Sequence, residues 1–212
     1  MKTIKFDSQK LNFKARFEQF LNLGLLENLN LEIEVLKREN DQKTPIHKVY
    51  YEWARTEEFQ NLYIELLRDY IKPLYDGEEI VYQKIPTFRV AFPHNIAVGE
   101  FHKDKAYRDL SWAEQVKEDN FYLPFTDAFE TNTIWVESEE DKGDFAPMNC
   151  QYGNTIQWDG SNLMHGNKIN ETGKARVSVD FRVIKMSNYT PSTKGSINMN
   201  VGFAIGGYYD VI

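Results

Sequence analysis

The sequence predicts a mainly β fold, an antiparallel sandwich or barrel with helices packed on one side, and three observations predict it. Up to Asp76 the apolar residues recur at helical spacing. Beyond it the chain breaks into short aromatic and β-branched runs divided by turn residues. No helical stretch separates successive runs after Lys117, which disfavours the alternating strand and helix order of a parallel sheet.

In the first third, Phe13, Phe17, Phe20, Leu21, Leu25 and Leu29 return at helical spacing, and Gly24 marks a break. Lys37 to Thr44 is polar and reads as a loop. A stronger helix is expected through YYEWARTEEFQNLYIELLRDYIKPLY, where Trp53, Phe59, Tyr63, Leu66, Leu67 and Ile71 form one apolar stripe. Pro73 should end it, because its ring clashes with the preceding turn. The runs VYQKIPTFRVAF, NIAVGEFHKD, FYLPFTDAF, NTIWVES, NTIQWDGSNLM and KARVSVDFRVIKM then supply about six to eight strands.

RVSVDFRV alternates cleanly: Val177, Val179, Phe181 and Val183 share one face, and Arg176, Ser178, Asp180 and Arg182 the other. The charged segment ESEEDKGD, residues 137–144, reads as a solvated loop. The final stretch carries Gly202, Gly206 and Gly207, which permit sharp turns, and stays open between an edge strand, a lid and an interface arm. The expected organisation is a single domain, 1–212, with helical support over 1–76, a β core over 77–184 and a C-terminal extension over 185–212.

A chain of 212 residues suffices for one domain with a helical elaboration. Its balance of 42% hydrophobic and 27% charged residues excludes a disordered or collagen-like chain. The net charge of −7, with no long Lys/Arg block, argues against nucleic acid or an anionic membrane as partner. Cys150 is the single cysteine, so no intrachain disulfide is expected. Met1 to Asn12 has no apolar signal-peptide core, and no run reaches the roughly 18 apolar residues of a membrane span. A cytoplasmic protein is expected.

The strongest local feature is His102-Lys103-Asp104, at the end of a strand-like run. In a strand, residues i and i+2 point to one side, so imidazole and carboxylate converge while Lys103 faces away. His165, another of only four histidines, also lies near the end of such a run. Two histidines and one carboxylate with open positions form the facial triad of non-haem ferrous oxygenases. An HxD pair alone is more often a surface or turn arrangement. Eleven residues after His165 lies Arg176, with Ser178 on the same strand face. A guanidinium fork plus a hydroxyl suits a dicarboxylate held deep in a pocket. The alternative is that Arg176 pairs with an internal carboxylate such as Asp159 or Asp180.

HKD, a distal histidine about 60 residues later, and RVS within KARVSVDFR together resemble the iron(II)- and 2-oxoglutarate-dependent oxygenases. VYQKIPTFRV, AVGEFHKDKAY, NFYLPFTDAF, TNTIWVES and DGSNLMHGNKINETGKARVSVDFRVI are similar to a branch of streptomycin-biosynthesis-type and phytanoyl-CoA-dioxygenase-like hydroxylases. The likeness covers roughly Tyr82 to Ile184. It implies a distorted double-stranded β-helix, a jelly roll of cupin-like form, for the core. It also implies ferrous iron on His102, Asp104 and His165, and 2-oxoglutarate as co-substrate with its C5 carboxylate on Arg176, assisted by Ser178. With dioxygen, the implied reaction hydroxylates an unactivated C–H bond and releases succinate and carbon dioxide. Halogenation is disfavoured, since Asp104 occupies the position that halogenation would need vacated.

Co-substrate contacts are further expected from Asn120 and from Thr131 and Thr133, or alternatively Asn132, and substrate contacts from Gln83 and Arg89, which share a side if Pro86 does not break their strand. Arg89 is the better candidate to grip an anionic group of the prime substrate. Trp135 and Trp158 read as core or pocket wall, and His47 and His94 as structural or surface residues. A small polar metabolite, such as an amino acid, a sugar or cyclitol, or a phosphorylated compound, is the expected substrate; a homodimer is the default assembly. Two other readings stay open: a cupin-like metal-binding protein or isomerase that does not use 2-oxoglutarate, and a non-catalytic β-sandwich binding module.

Overall fold

The computed structural model describes all residues except 36–43, 98, 109, 193–194 and 197–200. The chain opens with β1 (Lys2–Lys5) and α1 (Phe13–Leu21). α1 ends at Asn22 in the left-handed conformation, and after Gly24 the chain resumes as a 3-10 turn, Leu26–Leu31, so the expected break is present. The segment read as a polar loop lies outside the described residues except for Thr44.

The single long helix expected next is two, α2 (Pro45–Trp53) and α3 (Glu57–Leu66). Thr56 takes extended backbone between them, and its hydroxyl accepts the Phe59 N–H, a cap that starts a new helix. Nor does Pro73 end the helical run. The chain winds on through a π turn, Leu67–Ile71, and a 3-10 turn, Lys72–Tyr75, and stops at left-handed Asp76. Pro73 sits in the first turn of that last element, where its missing N–H has no intrahelical partner to lose.

The β region comprises β2 (Ile80–Gln83), β3 (Thr87–Ala91), α4 (Leu110–Val116), β4 (Asp119–Pro124), β5 (Ile134–Val136), β6 (Ala146–Pro147), β7 (Asn154–Trp158), β8 (His165–Asn167) and β9 (Arg176–Lys185). β10 (Gly195–Ser196), β11 (Val201–Gly202) and β12 (Tyr209–Val211) follow. The major sheet runs β1-β7-β4-β9-β2-β12, with β3 also on β9, and the minor sheet runs β6-β5-β8. Every pairing is antiparallel, and together the two sheets form the double-stranded β-helix. Both chain ends contribute strands to the major sheet, so β structure runs past residues 77–184 in each direction. Of the readings left open for the C-terminal stretch, the edge strand holds for Tyr209–Val211.

β9 is the spine. Its odd-numbered residues Val177, Val179, Phe181 and Val183 join Phe88, Val90, Phe121, Leu123 and Phe125 in a core against α1, α2 and α3. The even-numbered residues of β9 therefore face the space between the two sheets, as the alternation predicts. The loop 137–144 departs from expectation at its first residue. Glu137 is buried, with its carboxylate accepting the Met164 and Gly143 N–H groups, while residues 138–144 face water.

Candidate metal centre

The two histidines meet through the backbone. His102 and His165 exchange both main-chain hydrogen bonds, at 2.8 and 2.9 Å, in an isolated antiparallel bridge that extends the minor sheet. A hydrogen-bonded pair of this kind puts both side chains on one face. The rings stand 4.5 Å apart, centroid to centroid. Each Nδ1 is 2.9 Å from a backbone carbonyl, that of Glu100 for His102 and of Leu163 for His165. A carbonyl only accepts, so each Nδ1 carries the proton and each Nε2 keeps its lone pair.

Both Nε2 atoms point at Asp104, at 3.7 and 3.8 Å from Oδ1. The other carboxylate oxygen is engaged: Oδ2 accepts from Asn120 Nδ2 at 2.8 Å and from Arg182 Nη2 at 2.7 Å. Asn120 and Arg182 stand opposite each other in the β4–β9 register, which is why both reach one atom. The Asp104 backbone is held by its N–H to the Gly160 carbonyl, 2.9 Å. A side chain at Gly160 would collide with the Asn120 amide at 2.7 Å, so glycine is required for that close approach. His102, Asp104 and His165 thus present three donor atoms within 4.8 Å of one another. Second partners already fix the orientation of each, as metal sites require.

The electrostatics favour an ionised Asp104 and a neutral His165 and make His102 more basic. Burial opposes ionisation of Asp104, but the Arg182 guanidinium and the hydrogen bonds hold its carboxyl well below the usual carboxylate range. Burial pulls His165 down and keeps that imidazole neutral. For His102 burial also pulls down, but Asp104 and the Glu100 carbonyl outweigh it and raise the imidazole. Two nitrogens and one carboxylate oxygen are a donor set for ferrous iron.

These groups line a cavity, together with Arg89, Asn120, Ile134, Trp158, Asn167, Asp180 and Arg182. Along its wall runs a chain of alternating charge. Arg89 Nε lies 3.3 Å from Asp180, Asp180 lies 2.7 Å from Arg182 Nη1, and Arg182 reaches Asp104. The internal pairing considered for Arg176 is therefore absent: Asp180 belongs to Arg89 and Arg182, and Asp159 is bound by Asn162.

Arg176 lies further along the same face of β9, 1% exposed. It donates to the Asn132 carbonyl at 2.9 Å and to Ser178 Oγ at 2.7 Å, and has no carboxylate partner among the described residues. The buried hydroxyl of Tyr122 lies beside Arg176, Thr133 and Ser178, with no well-aligned hydrogen bond among the described residues. A buried cation and a buried hydroxyl left open together fit an anion.

Several expected residues fall elsewhere. Pro86 does break the strand, and Gln83 lies fully buried outside the cavity lining, its amide on Ile85 and Thr87. Asn120 faces the cavity but grips Asp104. Thr133 donates to the Met148 carbonyl, and Thr131 accepts the Glu171 N–H. Trp158 is cavity wall, edge-on to His165 at 4.7 Å, whereas Trp135 carries Lys168 over its ring. His47 is buried and His94 exposed. Arg182 and Tyr122 were not singled out from the sequence. The alternation of RVSVDFRV and of FYLPF put both on the cavity face, but nothing in the sequence named their partners.

No family model matches the sequence. The chain is 34% identical over 189 residues to the streptomycin biosynthesis protein StrG of Streptomyces griseus, covering 88% of this chain and 86% of that protein. The chain belongs to the StrG family. Among solved structures, it resembles the non-heme alpha-ketoglutarate-dependent carbocyclase SnoK of nogalamycin biosynthesis, with a TM-score of 0.56 at 10% identity over 99% of this chain and 90% of that one. It also matches AviO1 of Streptomyces viridochromogenes, TM-score 0.48 at 15% identity, over 88% of this chain and 89% of that one. The likeness to SnoK establishes for this StrG-family chain the fold of that non-heme alpha-ketoglutarate-dependent enzyme.

Proposed function

We propose that this chain is an iron(II)- and 2-oxoglutarate-dependent oxygenase that hydroxylates an unactivated C–H bond of a small polar metabolite, releasing succinate and carbon dioxide. The observation that carries the reading is the pairing of two open sites on one wall. Asp104 Oδ1 and two tautomer-fixed imidazole Nε2 atoms converge on a point, and a buried Arg176 with no carboxylate partner among the described residues stands on the same face of β9 as Asp180 and Arg182.

His102, Asp104 and His165 would hold the iron, with Asn120 and Arg182 restricting Asp104 to one oxygen. Arg176 and Ser178 would take the far carboxylate of 2-oxoglutarate, with the Tyr122 hydroxyl as a third donor. The bound iron and co-substrate would supply the oxidant from dioxygen. Ile134 and Trp158 line the cavity and would form an apolar flank that limits water there and helps orient the substrate. No helix among the described residues is long and apolar enough to cross a membrane. The single cysteine supports a reducing, cytoplasmic setting.

Anaerobic titration with iron(II) and 2-oxoglutarate tests the reading. A weak visible charge-transfer band should appear and be lost in His165→Ala. A chain that binds iron with unchanged spectrum and affinity whether or not 2-oxoglutarate is added is instead a metal-binding protein without that co-substrate.

A further inference from the structure

Arg89 reaches the cavity from β3, opposite Ser178 in register and leaning across to Asp180. Its single ion pair uses Nε, at 3.3 Å. Neither Nη group has a hydrogen-bond partner among the described residues, although the side chain is only 21% exposed. The other oxygen of Asp180 is held by Arg182 at 2.7 Å. On the same wall Arg182 Nε is buried, with no hydrogen-bond partner among the described residues. The charged row therefore ends at the cavity in a guanidinium whose fork is unfilled.

The charge count points the same way. With Asp104 committed to a divalent metal alongside one carboxylate of the co-substrate, and Arg176 to the other, two guanidiniums are left facing one carboxylate, Asp180. The wall then carries one net positive charge, and Arg89 is its accessible end. A planar fork of this kind binds a carboxylate or phosphate oxygen pair bidentately.

We propose that Arg89 is the recognition site for one acidic group, a phosphate monoester or a carboxylate, on the metabolite that is oxidised. This rests on the oxygenase reading above and narrows its substrate class from polar to anionic. Asp180 orients the Arg89 fork through Nε, and Arg182 shares the charge of Asp180 so that it does not repel the incoming anion.

The test is calorimetric, on full-length protein loaded anaerobically with manganese(II) and 2-oxoglutarate. The probes are matched sets: glycerol, glycerol 3-phosphate and glycerate, then myo-inositol and its monophosphate. The anionic members should bind at least about tenfold more tightly than their neutral partners. Arg89→Gln should remove that preference with manganese and 2-oxoglutarate affinities unchanged, and Arg89→Lys should retain part of it. Glycerol 3-phosphate against glycerate reads which acid group the fork prefers. Equal binding of neutral and anionic probes, no binding of any anionic probe at millimolar concentration, or a preference that survives Arg89→Gln would overturn the proposal. Failure of 2-oxoglutarate itself to bind the manganese-loaded protein would instead remove the parent reading.

Discussion

On one face of β9, Val177, Val179, Phe181 and Val183 are packed to zero exposure against the helices; on the other, Arg176, Ser178, Asp180 and Arg182 are nearly as buried yet polar or charged. The apolar face needs no particular partner, because burial is stabilising for any well-packed hydrocarbon. The polar face does, because each buried charge must be matched. Asp180 and Arg182 match each other and their neighbours within the chain. Arg176 does not, and Asp104 keeps one oxygen free. The difference teaches where to look for a site: at the places where a buried polar wall stops being self-sufficient.

Three substitutions along β9 would separate the two faces, and a histidine from the helical layer extends the contrast. Phe181 stacks on Phe121 and meets Tyr63 edge-on, each at 5.2 Å. Phe181→Ala should cost about 3–5 kcal/mol of stability in denaturant unfolding. Metal affinity of the fraction that remains folded should not change; a loss of metal binding ahead of unfolding would show that the two faces are not separable.

On the polar face, Arg176→Leu should raise the 2-oxoglutarate requirement roughly a hundredfold while iron binding is spared, since it removes a charge-assisted pair and no metal ligand. An unchanged requirement in steady-state turnover would assign the far carboxylate to another residue.

The helical layer holds a buried imidazole of the opposite kind. His47, bound to Thr44 at 2.7 Å and edge-on to Phe88, is lowered to about 4 by burial and by Arg89. It is neutral when folded, so its contribution is complete above its unfolded value of about 6.5 and is lost as the pH falls toward 4. Near pH 5 that loss is on the order of 1–2 kcal/mol. Unfolding curves collected from pH 7 to 4.5 should show it, and His47→Gln should flatten the slope. A slope unaltered by the substitution assigns the acid sensitivity to other groups.

The last substitution concerns Arg182, which touches Asp104 and would not touch the metal. Arg182→Gln should weaken metal binding by roughly 10–100-fold, as loss of a ligand's orienting partner does, with Arg182→Lys intermediate. Metal titration monitored independently of turnover distinguishes this from a general loss of fold. Equal affinities in all three proteins would mean that Asn120 alone positions the carboxylate.

Much of the site was legible because it is written in short-range geometry. HxD on extended backbone and RxS on a strand place their side chains by period two alone, and His165 stood out because histidine is scarce. The helix boundaries were less legible. Thr56 breaks the helical run through a single hydroxyl cap, and Pro73 is tolerated because it falls in a first turn. Both outcomes depend on which local hydrogen bond wins. Whether Gln83 and Arg89 share a strand was not legible, because β2 stops at Gln83 and β3 begins only after Pro86, at Thr87.

By itself, the sequence determined the helical and β halves, the alternation of β9, and a set of metal-binding and anion-binding residue types, since periodicity and side-chain chemistry are local properties. Tertiary structure decided which of them meet. The backbone bridge that joins His102 to His165 spans more than sixty residues of chain, and so does the grip of Arg182 on Asp104. Closing loops of that length takes the free energy of the whole packed sheet, and no local pattern encodes its register.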